Sequence, residues 1–159
     1  KGVPFMPLRG LIGSDVLKHR PDWKVIDNPF GDDDPIVLLP AIQPDVALFH
    51  APMADTFGNV WIGRQRELTT MAHAAKKTVV TVEKIHDGNL MDDPKLAAGV
   101  LPGFYVDSIA VAPKGAWPLP LPDHYAWDAE HLGEYARLAA TDKGFAQYLD
   151  KHVHERQTA

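Results

Sequence analysis

The amino-acid sequence predicts an α/β protein in which a mostly parallel sheet is flanked by helices in a three-layer arrangement. Short apolar runs that are typical of buried strands recur between residues 36 and 112. A strand, a helix and a strand follow one another between residues 60 and 82, and the last part of the chain shows helical spacing. Because such a connection within one sheet is a right-handed crossover, this order favours parallel pairing.

The first half of the chain predicts one short helix and three strands. Residues 1–35 are rich in proline, glycine and aspartate, and we expect only a short helix over residues 14–19, with Ser14 or Asp15 as its N-cap. Residues 36–39 are an apolar run closed by Pro40, which predicts a strand. Residues 46–49 predict a second buried strand that runs out at His50, and residues 60–62 predict a third.

The second half predicts a helix, two more strands and a helical end. Residues 64–77 are spaced as a helix with one apolar face, which consists of Leu68, Met71, Ala72 and Ala75. Residues 78–82 are β-branched and predict a strand that ends at Glu83. We expect a short helix over residues 92–98, a strand over 106–112 and an extended proline-rich segment over 113–122. Helices are expected over residues 127–140 and 142–152.

Composition describes an ordinary globular chain and excludes several function classes. The 159 residues carry a formal net charge of −5, and we expect one domain over residues 1–159. A general nucleic-acid binder usually shows a basic patch, and the sequence has no cluster of Lys and Arg, so we expect no nucleic-acid partner. No run approaches the roughly 18 apolar residues of a membrane span. We therefore expect no membrane partner, and the absence of cysteine fits the cytoplasmic protein that we expect.

Metal and phosphate motifs are not indicated. Cysteine is absent, and the eight histidines form no H-E-x-x-H pattern. His152-x-His154 lies in a polar tail, so we expect no metal site. The pair Gly10-x-x-Gly13 follows no predicted strand and lacks the lysine of a phosphate-binding loop.

The segment from residue 45 to residue 60 is the most informative feature of the sequence. It predicts a buried strand, a short loop and a sharp turn at Gly58-Asn59, residue types that supply positive backbone dihedral angles. Ala54-Asp55 lies just before this turn. In α/β proteins, sites usually lie just past the carboxyl end of a strand, so this loop is the first candidate for a site.

Ordered motifs along nearly the whole chain resemble family I CoA-transferases, in particular the alpha chains similar to that of glutaconate CoA-transferase. Residues 2–15 match G-x-P-F-x-P-x-R-G-x-x-G-S-D, and residues 40–47 match P-A-x-x-P-D-V-A. His50-Ala51, Ala54-Asp55 and Gly58-Asn59 match the signature loop of the family in order. Further matches lie in residues 74–77, 81–83, 101–103, 106–107, 115–118 and 125–128. The resemblance implies a CoA-transferase-like (NagB/RpiA-like) fold.

The chain also departs from the family pattern. Pro29-Phe30 is followed by Gly31-Asp32-Asp33 where the family often has Thr-Gly-Glu, and residues 117–125 differ from the usual Pro-Ser and Gly-Tyr-Tyr. Alpha chains of the family carry a substantial portion before the G-x-P-F motif. We therefore expect this chain to be a single alpha-type domain, the C-terminal portion of such a chain without its N-terminal portion, and we expect that upstream portion as a partner.

The resemblance implies a reaction and its partners. In family I transferases a glutamate carboxylate attacks an acyl-CoA thioester, and the reaction passes through an acyl-glutamyl anhydride and a glutamyl-CoA thioester. The nucleophilic glutamate typically belongs to the beta subunit. The resemblance thus implies an α2β2-like hetero-oligomer, acyl-CoA and carboxylate substrates, and no cofactor apart from coenzyme A as a substrate. No catalytic residue is expected in this chain, and Glu83 is expected to be structural.

The residues that we expect to bind substrate lie in two stretches, and they are Arg9, Gly10, Gly13, Ser14, His50, Asp55, Gly58 and Asn59. Arg9 could pair with a substrate carboxylate or instead fix its own loop through Asp15 or backbone carbonyls. Backbone N–H groups of residues 10–14 and 58–59 could stabilise oxyanions.

For the remaining candidates a structural role competes with substrate binding. Ser14 could donate to substrate or act as a helix N-cap, and His50 could line the site or be a satisfied, partly buried histidine. Asp55 and Asn59 could bond to their own turn, or contact substrate or the partner subunit.

Two other functions stay open. The same fold could hydrolyse an acyl-CoA thioester, with water as the acyl acceptor. Alternatively, the chain could be a non-catalytic ligand-binding module, because it is not expected to contain the nucleophile.

Overall fold

The computed structural model describes residues 2–154, which cluster into two compact units. The first unit contains residues 2–47 and 65–78, and the second contains residues 48–64 and 79–154. The expectation of one domain over the whole chain stays a prediction.

The first unit contains a three-stranded antiparallel sheet in the order β1-β3-β2. The strands are β1 (Phe5–Leu8), β2 (Lys24–Ile26) and β3 (Ile36–Pro40). Strand β3 matches its prediction, whereas β1 and β2 correct the expectation that residues 1–35 contain only a short helix. Pro7 interrupts the strand pattern of β1, but β1 is an edge strand, where a missing N–H is tolerated. Both strands pair with β3, which follows β2 along the chain and is distant in sequence only from β1.

Two helices belong to the first unit. Helix α1 (Val16–His19) lies within the predicted range, and its N-cap residue is Asp15, one of the two predicted, although no side chain caps the helix. Asp15 occupies the N-cap in the α region, without a side-chain cap, and the Ser14 hydroxyl donates to the Leu11 carbonyl instead. Helix α2 (Arg66–Ala74) is shorter than predicted. Ala72 and Ala75 of its predicted apolar face are buried, whereas Met71 is exposed.

The larger sheet has five strands in the order β7-β5-β4-β6-β8. They are β4 (Val46–Asp55), β5 (Val60–Trp61), β6 (Lys77–His86), β7 (Val100–Leu101) and β8 (Ser108–Val111). Strand β5 is antiparallel to both β4 and β7, and β6 is parallel to β8. The predicted α/β class is confirmed, but the sheet is mixed and not mostly parallel, because β5 is antiparallel to both of its neighbours.

Strands β4 and β6 extend further than predicted, which moves two candidate residues. His50 lies inside β4 and Glu83 inside β6, not at the strand ends. A proline such as Pro52 often ends a strand, because it has no backbone N–H to donate. In β4, pairing with β5 begins only at Met53, so Pro52 interrupts no hydrogen bond between these two strands. In β6 alternate residues continue to point inward, with Val80 and Val82 fully buried.

The second unit ends in helices. Short 3₁₀ helices cover Ala97–Gly99, which overlaps the end of the predicted 92–98 segment, and Gly103–Tyr105. Helix α3 (Ala129–Leu138) begins after Asp128, whose carboxylate accepts from the N–H of His131, and helix α4 (Asp142–Leu149) is capped by Thr141. A π-helical turn, Asp150–His154, follows α4. Among residues 2–154, every helix is too short or too polar to cross a bilayer.

Candidate functional site

The loop after β4 is held by one buried carboxylate. Asp55 is only 3% exposed, and its Oδ1 accepts hydrogen bonds from the backbone N–H groups of Phe57 and Asn59, each at 2.9 Å. Its Oδ2 accepts from Nδ2 of Asn59 and from the N–H of Leu90, again at 2.9 Å. The turn at residues 55–59 is thereby fastened to a segment more than thirty residues away.

Asn59 connects the same loop to a third segment. Its Oδ1 accepts from the N–H of Gly103 at 2.9 Å, and its Nδ2 lies 3.2 Å from Oδ1 of Asn89. Gly58 has a φ of +85°, which a side chain would strain. Residues 55–59, 89–91 and 103 therefore form one hydrogen-bonded frame, which we call the loop clamp.

The loop clamp presents two aromatic side chains to the outside. Phe57 is 66% exposed and Phe104 is 81% exposed, and each is adjacent to a residue that the clamp fixes. A Cβ atom at Gly103 would lie 2.8 Å from the carbonyl oxygen of Phe57, so the two backbones approach as closely as glycine allows.

Hydrogen bonding also sets the charge of the clamp. Burial of Asp55 acts to raise its pKa, but the hydrogen bonds from Asn59, Leu90 and Phe57 outweigh it, and the pKa lies below the ordinary value. Asp55 is therefore an ionised acceptor near neutral pH.

A second polar cluster surrounds Glu83. Its Oε1 lies 2.7 Å from Nε2 of His50 and accepts from the hydroxyl of Tyr125 at 2.8 Å. Its Oε2 accepts from the backbone N–H of Lys114 at 2.8 Å. Nδ1 of His50 lies 2.8 Å from Oγ1 of Thr81. These contacts join β4, β6 and the proline-rich segment after β8.

The electrostatics of Glu83 are those of a stabilised anion. Partial burial acts to raise its pKa, but hydrogen bonds from Lys114, Tyr125 and His50 together hold the pKa below the ordinary range. The pKa of Tyr125 is raised, by partial burial first and by its bond to Glu83 second. A Cβ at Gly115 would lie 2.6 Å from Nδ1 of His50, so the cluster also restricts residue 115 to glycine.

The first unit holds the other predicted residues. The guanidinium of Arg9 pairs with Asp34 at 2.6 Å, and Nδ2 of Asn28 bonds to the same carboxylate oxygen at 2.7 Å. The acid that pairs with Arg9 is thus Asp34, whereas the sequence suggests Asp15, which pairs with Lys18. Gly10 and Gly13 have φ angles of +103° and +82°, which explains glycine at both positions.

Arg9 also borders an apolar groove of about 450 Å³ within the first unit. The residues that line it with Arg9 are Phe5, Pro7, Leu8, Ile26, Asn28, Pro29, Phe30 and Ile36. The groove combines a broad apolar wall with one guanidinium.

The structure groups the predicted residues differently from the sequence. Asp55, Gly58 and Asn59 lie together, whereas His50 belongs to the Glu83 cluster, five positions earlier on β4. The segments that sequence reasoning leaves unconnected to the site are Asn89-Leu90, Gly103, Thr81 and Tyr125. Three of these positions lie in motifs that carry the resemblance, at residues 81–83, 101–103 and 125–128. Those motifs are the sequence signal that could have connected these three residues to the site.

Comparison with known proteins decides the family. The family model described as Coenzyme A transferase matches residues 2–112. The chain belongs to the coenzyme A transferase family. It is 33% identical over 170 aligned residues to the A subunit of glutaconate CoA-transferase from Acidaminococcus fermentans, and 33% identical over 156 to the A subunit of 3-oxoadipate CoA-transferase from Pseudomonas knackmussii. Each alignment covers 96% of this chain.

Solved structures agree with this membership in the CoA-transferase family. The structure of glutaconate CoA-transferase from Acidaminococcus fermentans superposes with a TM-score of 0.82 at 31% identity, covering 97% of this chain and 53% of that chain. A variant of the decarboxylase AibA/AibB superposes with a TM-score of 0.78 at 34% identity, covering 94% of this chain and 53% of that chain. The chain spans about half the length of the two CoA-transferase relatives, 52% and 53%.

Proposed function

We propose that this chain is part of the alpha chain of a CoA-transferase that moves CoA between an acyl-CoA and a carboxylic acid. Besides family membership, one observation carries the proposal: the carboxylates of Asp55 and Glu83 both have their two oxygens engaged. A nucleophilic carboxylate needs an oxygen that the thioester carbon can reach. Neither carboxylate is therefore placed to act as the nucleophile. In the proposal, the nucleophilic glutamate belongs to a partner beta subunit, and this chain supplies the surroundings of the reaction.

The proposed reaction is a series of acyl transfers between the partner glutamate, CoA and the two carboxylic acids. The partner glutamate attacks the thioester carbonyl, the C–S bond breaks, and CoA leaves as a thiolate from an acyl-glutamyl anhydride. The thiolate attacks the glutamyl carbonyl of this anhydride, which releases the first carboxylate and forms glutamyl-CoA. The acceptor carboxylate then attacks the carbonyl of glutamyl-CoA, which releases the CoA thiolate and forms a second anhydride. The thiolate attacks the acceptor's carbonyl in this anhydride, which forms the new acyl-CoA and frees the glutamate. Each step exchanges one acyl bond for another, so the reaction requires no cofactor apart from CoA as a substrate.

The role of this chain is to bind and to stabilise charge. Each attack creates an oxyanion, and fixed backbone N–H groups stabilise such a charge without reorganising. In the proposal, the loop at residues 10–13 presents these groups, and Arg9 binds the substrate carboxylate. The N–H groups of Gly58 and Asn59 do not take this role, because the carbonyl and the carboxylate of Asp55 already accept from them. Asp55 and Asn59 do not touch the substrate in this proposal but hold the loop at residues 55–59 in place. His50 likewise contributes by its hydrogen bond within the Glu83 cluster.

Covalent mapping tests where the nucleophile lies. The chain is co-expressed with the upstream alpha-chain portion and a beta-type partner, incubated with acyl-CoA, and digested for mass spectrometry. We expect a CoA adduct on a glutamate of the partner, with the peptide that contains Glu83 unmodified. An adduct on Glu83 would overturn the assignment. Native mass spectrometry of the same material tests the proposed hetero-oligomer.

A hydrolase that releases CoA from an acyl-CoA thioester is the second candidate. A relative of this chain is named a hydrolase, although the reaction in its name is the cleavage of a cholesterol ring. The cholesterol ring-cleaving hydrolase IpdA subunit of Rhodococcus jostii is 28% identical over 159 residues. Labelled acceptor acids separate the two reactions: a transferase converts them to acyl-CoA, whereas a hydrolase releases CoA at the same rate without them. Acyl-CoA binding without any turnover in the assembled complex would instead favour a non-catalytic ligand-binding module.

A further inference from the structure

Three side chains in the last helical part of the chain converge on one point. His131 and Glu134 are one helical turn apart on α3, a spacing that places them on the same face. His152 lies in the π-helical turn after α4. One ligand atom from each of the three residues lies within 4.8 Å of the other two.

The distances fit a small transition-metal ion. Zinc binds histidine nitrogen and carboxylate oxygen at about 2.0–2.2 Å in a tetrahedron, so two of its ligands are roughly 3.3 Å apart. Nε2 of His152 and Oε2 of Glu134 are already 3.2 Å apart. The longest separation, at most 4.8 Å, is closed by side-chain rotation of about an ångström or two.

The surroundings supply outer-shell partners of the kind that orient metal ligands. Lys151 bonds to Oε1 of Glu134 at 2.7 Å, whereas Oε2 is hydrogen-bonded to Nε2 of His152, a contact that a metal between the two atoms would replace. The hydroxyl of Tyr148 lies 2.8 Å from Nε2 of His131, and the indole of Trp117 packs on that buried ring at 4.3 Å. Such contacts to carboxylate and imidazole ligands fix their orientation.

We propose that His131, Glu134 and His152 form a binding site for a divalent transition metal of the zinc type, with a fourth position open to water. A second observation supports the site: His152 reaches the cluster from a π-helical turn, a rare conformation that is frequent at functional sites. The bound metal joins the segment after α4 to α3. The sequence predicts no metal, because His152 lies eighteen residues after Glu134 and no short motif connects them.

Metal titration of the untagged chain, in the complex in which it purifies, tests the proposal. After chelator treatment, we expect calorimetry with zinc chloride to show one equivalent bound per chain and a higher melting temperature. Cobalt should give the visible absorption of a tetrahedral ion. His152→Ala and Glu134→Gln should each weaken zinc binding at least about tenfold. Both variants are tested, so that the conclusion about zinc binding stands even if one of them folds poorly.

His154→Ala is the matched control, because His154 is an exposed histidine two residues beyond His152. It should bind zinc as the parent chain does. Failure of the parent to bind zinc, or equal binding by His152→Ala and the parent, would overturn the proposal. Glu134 would then only pair with Lys151 and hydrogen-bond to His152. Neither result depends on the CoA-transferase activity.

Discussion

The carboxylate of Asp55 accepts a hydrogen bond from the backbone N–H of Leu90, 35 residues further along the chain, at 2.9 Å. The same carboxylate accepts three more bonds from the turn at Phe57 and Asn59. A carboxylate has about four acceptor positions, so Asp55 is fully used. The candidate loop and the segment at residue 90 must therefore move together.

Replacing Asp55 by Asn should destabilise the fold. The amide offers one acceptor oxygen and places N–H donors against N–H groups of the backbone, so at least one buried donor loses its partner. We expect the free energy of unfolding to fall by about 1 to 3 kcal/mol, measured by urea denaturation. Asp87→Asn, at an exposed position of the same unit, is the control and should change it by less than about 0.5 kcal/mol. Equal effects would contradict the role of the clamp.

The stabilising effect of Asp55 should depend on pH. Its pKa is lowered in the folded chain, whereas the unfolded value is about 3.9. The folded state therefore holds fewer protons, and the stabilisation is complete above the unfolded pKa and is lost as the pH falls through the folded pKa. We expect the stability difference between the parent and Asp55→Asn to be constant from about pH 6 to 7 and to shrink below about pH 4. A difference that grows on acidification would contradict this sign.

Gly103 should not tolerate a side chain. A Cβ there would lie 2.8 Å from the Phe57 carbonyl oxygen and 3.0 Å from the Gly58 carbonyl carbon, both of them backbone atoms. We expect Gly103→Ala to lower the free energy of unfolding by about 1 to 3 kcal/mol, as overpacking does. Gly133→Ala is the control, because that glycine lies inside α3 with open space around it, and alanine should stabilise the helix by up to about 1 kcal/mol. Thermal denaturation that ranks the two variants in the reverse order would refute the close approach.

Local patterns predicted those parts of the molecule that local forces determine. The turn at residues 58–59 depends on Gly58, which adopts the predicted positive φ, whereas Asn59 does not. The spacing of α2 predicted the burial of Ala72 and Ala75 but not the exposure of Met71. The bond from Leu90 to Asp55 and the pairing of β1 with β3 join distant segments, and neither partner carries a local signal. Strand formation depends on its neighbours more than on intrinsic preference, which explains why β1 and β2 do not stand out in the sequence.

The position of His50 shows that local sequence patterns also fail to predict which residues lie together at the candidate site. His50 begins the match to the signature loop, and the resemblance assigns the whole match to one site. In the structure, β4 continues to Asp55, and each residue of a strand advances the chain by about 3.3 Å. Where a strand ends is decided by pairing with its neighbours β5 and β6, so the sequence alone could not separate His50 from the loop.

The hydroxyl of Tyr125 should be worth more beside a charged Glu83 than beside a neutral amide. Hydrogen bonds to charged groups contribute about 1.5–3 kcal/mol and neutral ones about 0.5–1.5 kcal/mol. Tyr125→Phe should therefore destabilise the parent more than it destabilises the Glu83→Gln variant, by roughly 1 kcal/mol in a double-mutant cycle. Tyr135→Phe, on α3, is the control and should show no coupling to Glu83→Gln. Additive effects of Tyr125→Phe and Glu83→Gln would show that the contact contributes nothing specific.

Replacing Arg9 by Ala should lower activity without lowering stability. The Arg9 side chain is 76% exposed, and an exposed ion pair such as Arg9–Asp34 contributes at most about 1 kcal/mol to folding. Its position at the rim of the apolar groove suits a substrate carboxylate, so kcat/KM of the assembled complex should fall at least about tenfold while its melting temperature stays nearly constant. Arg20→Ala is the control, because Arg20 makes an exposed pair with Asp22 in the same unit and does not line the groove. If Arg9→Ala and Arg20→Ala have the same kinetics as the parent, Arg9 does not bind substrate, and its guanidinium serves only to hold Asp34.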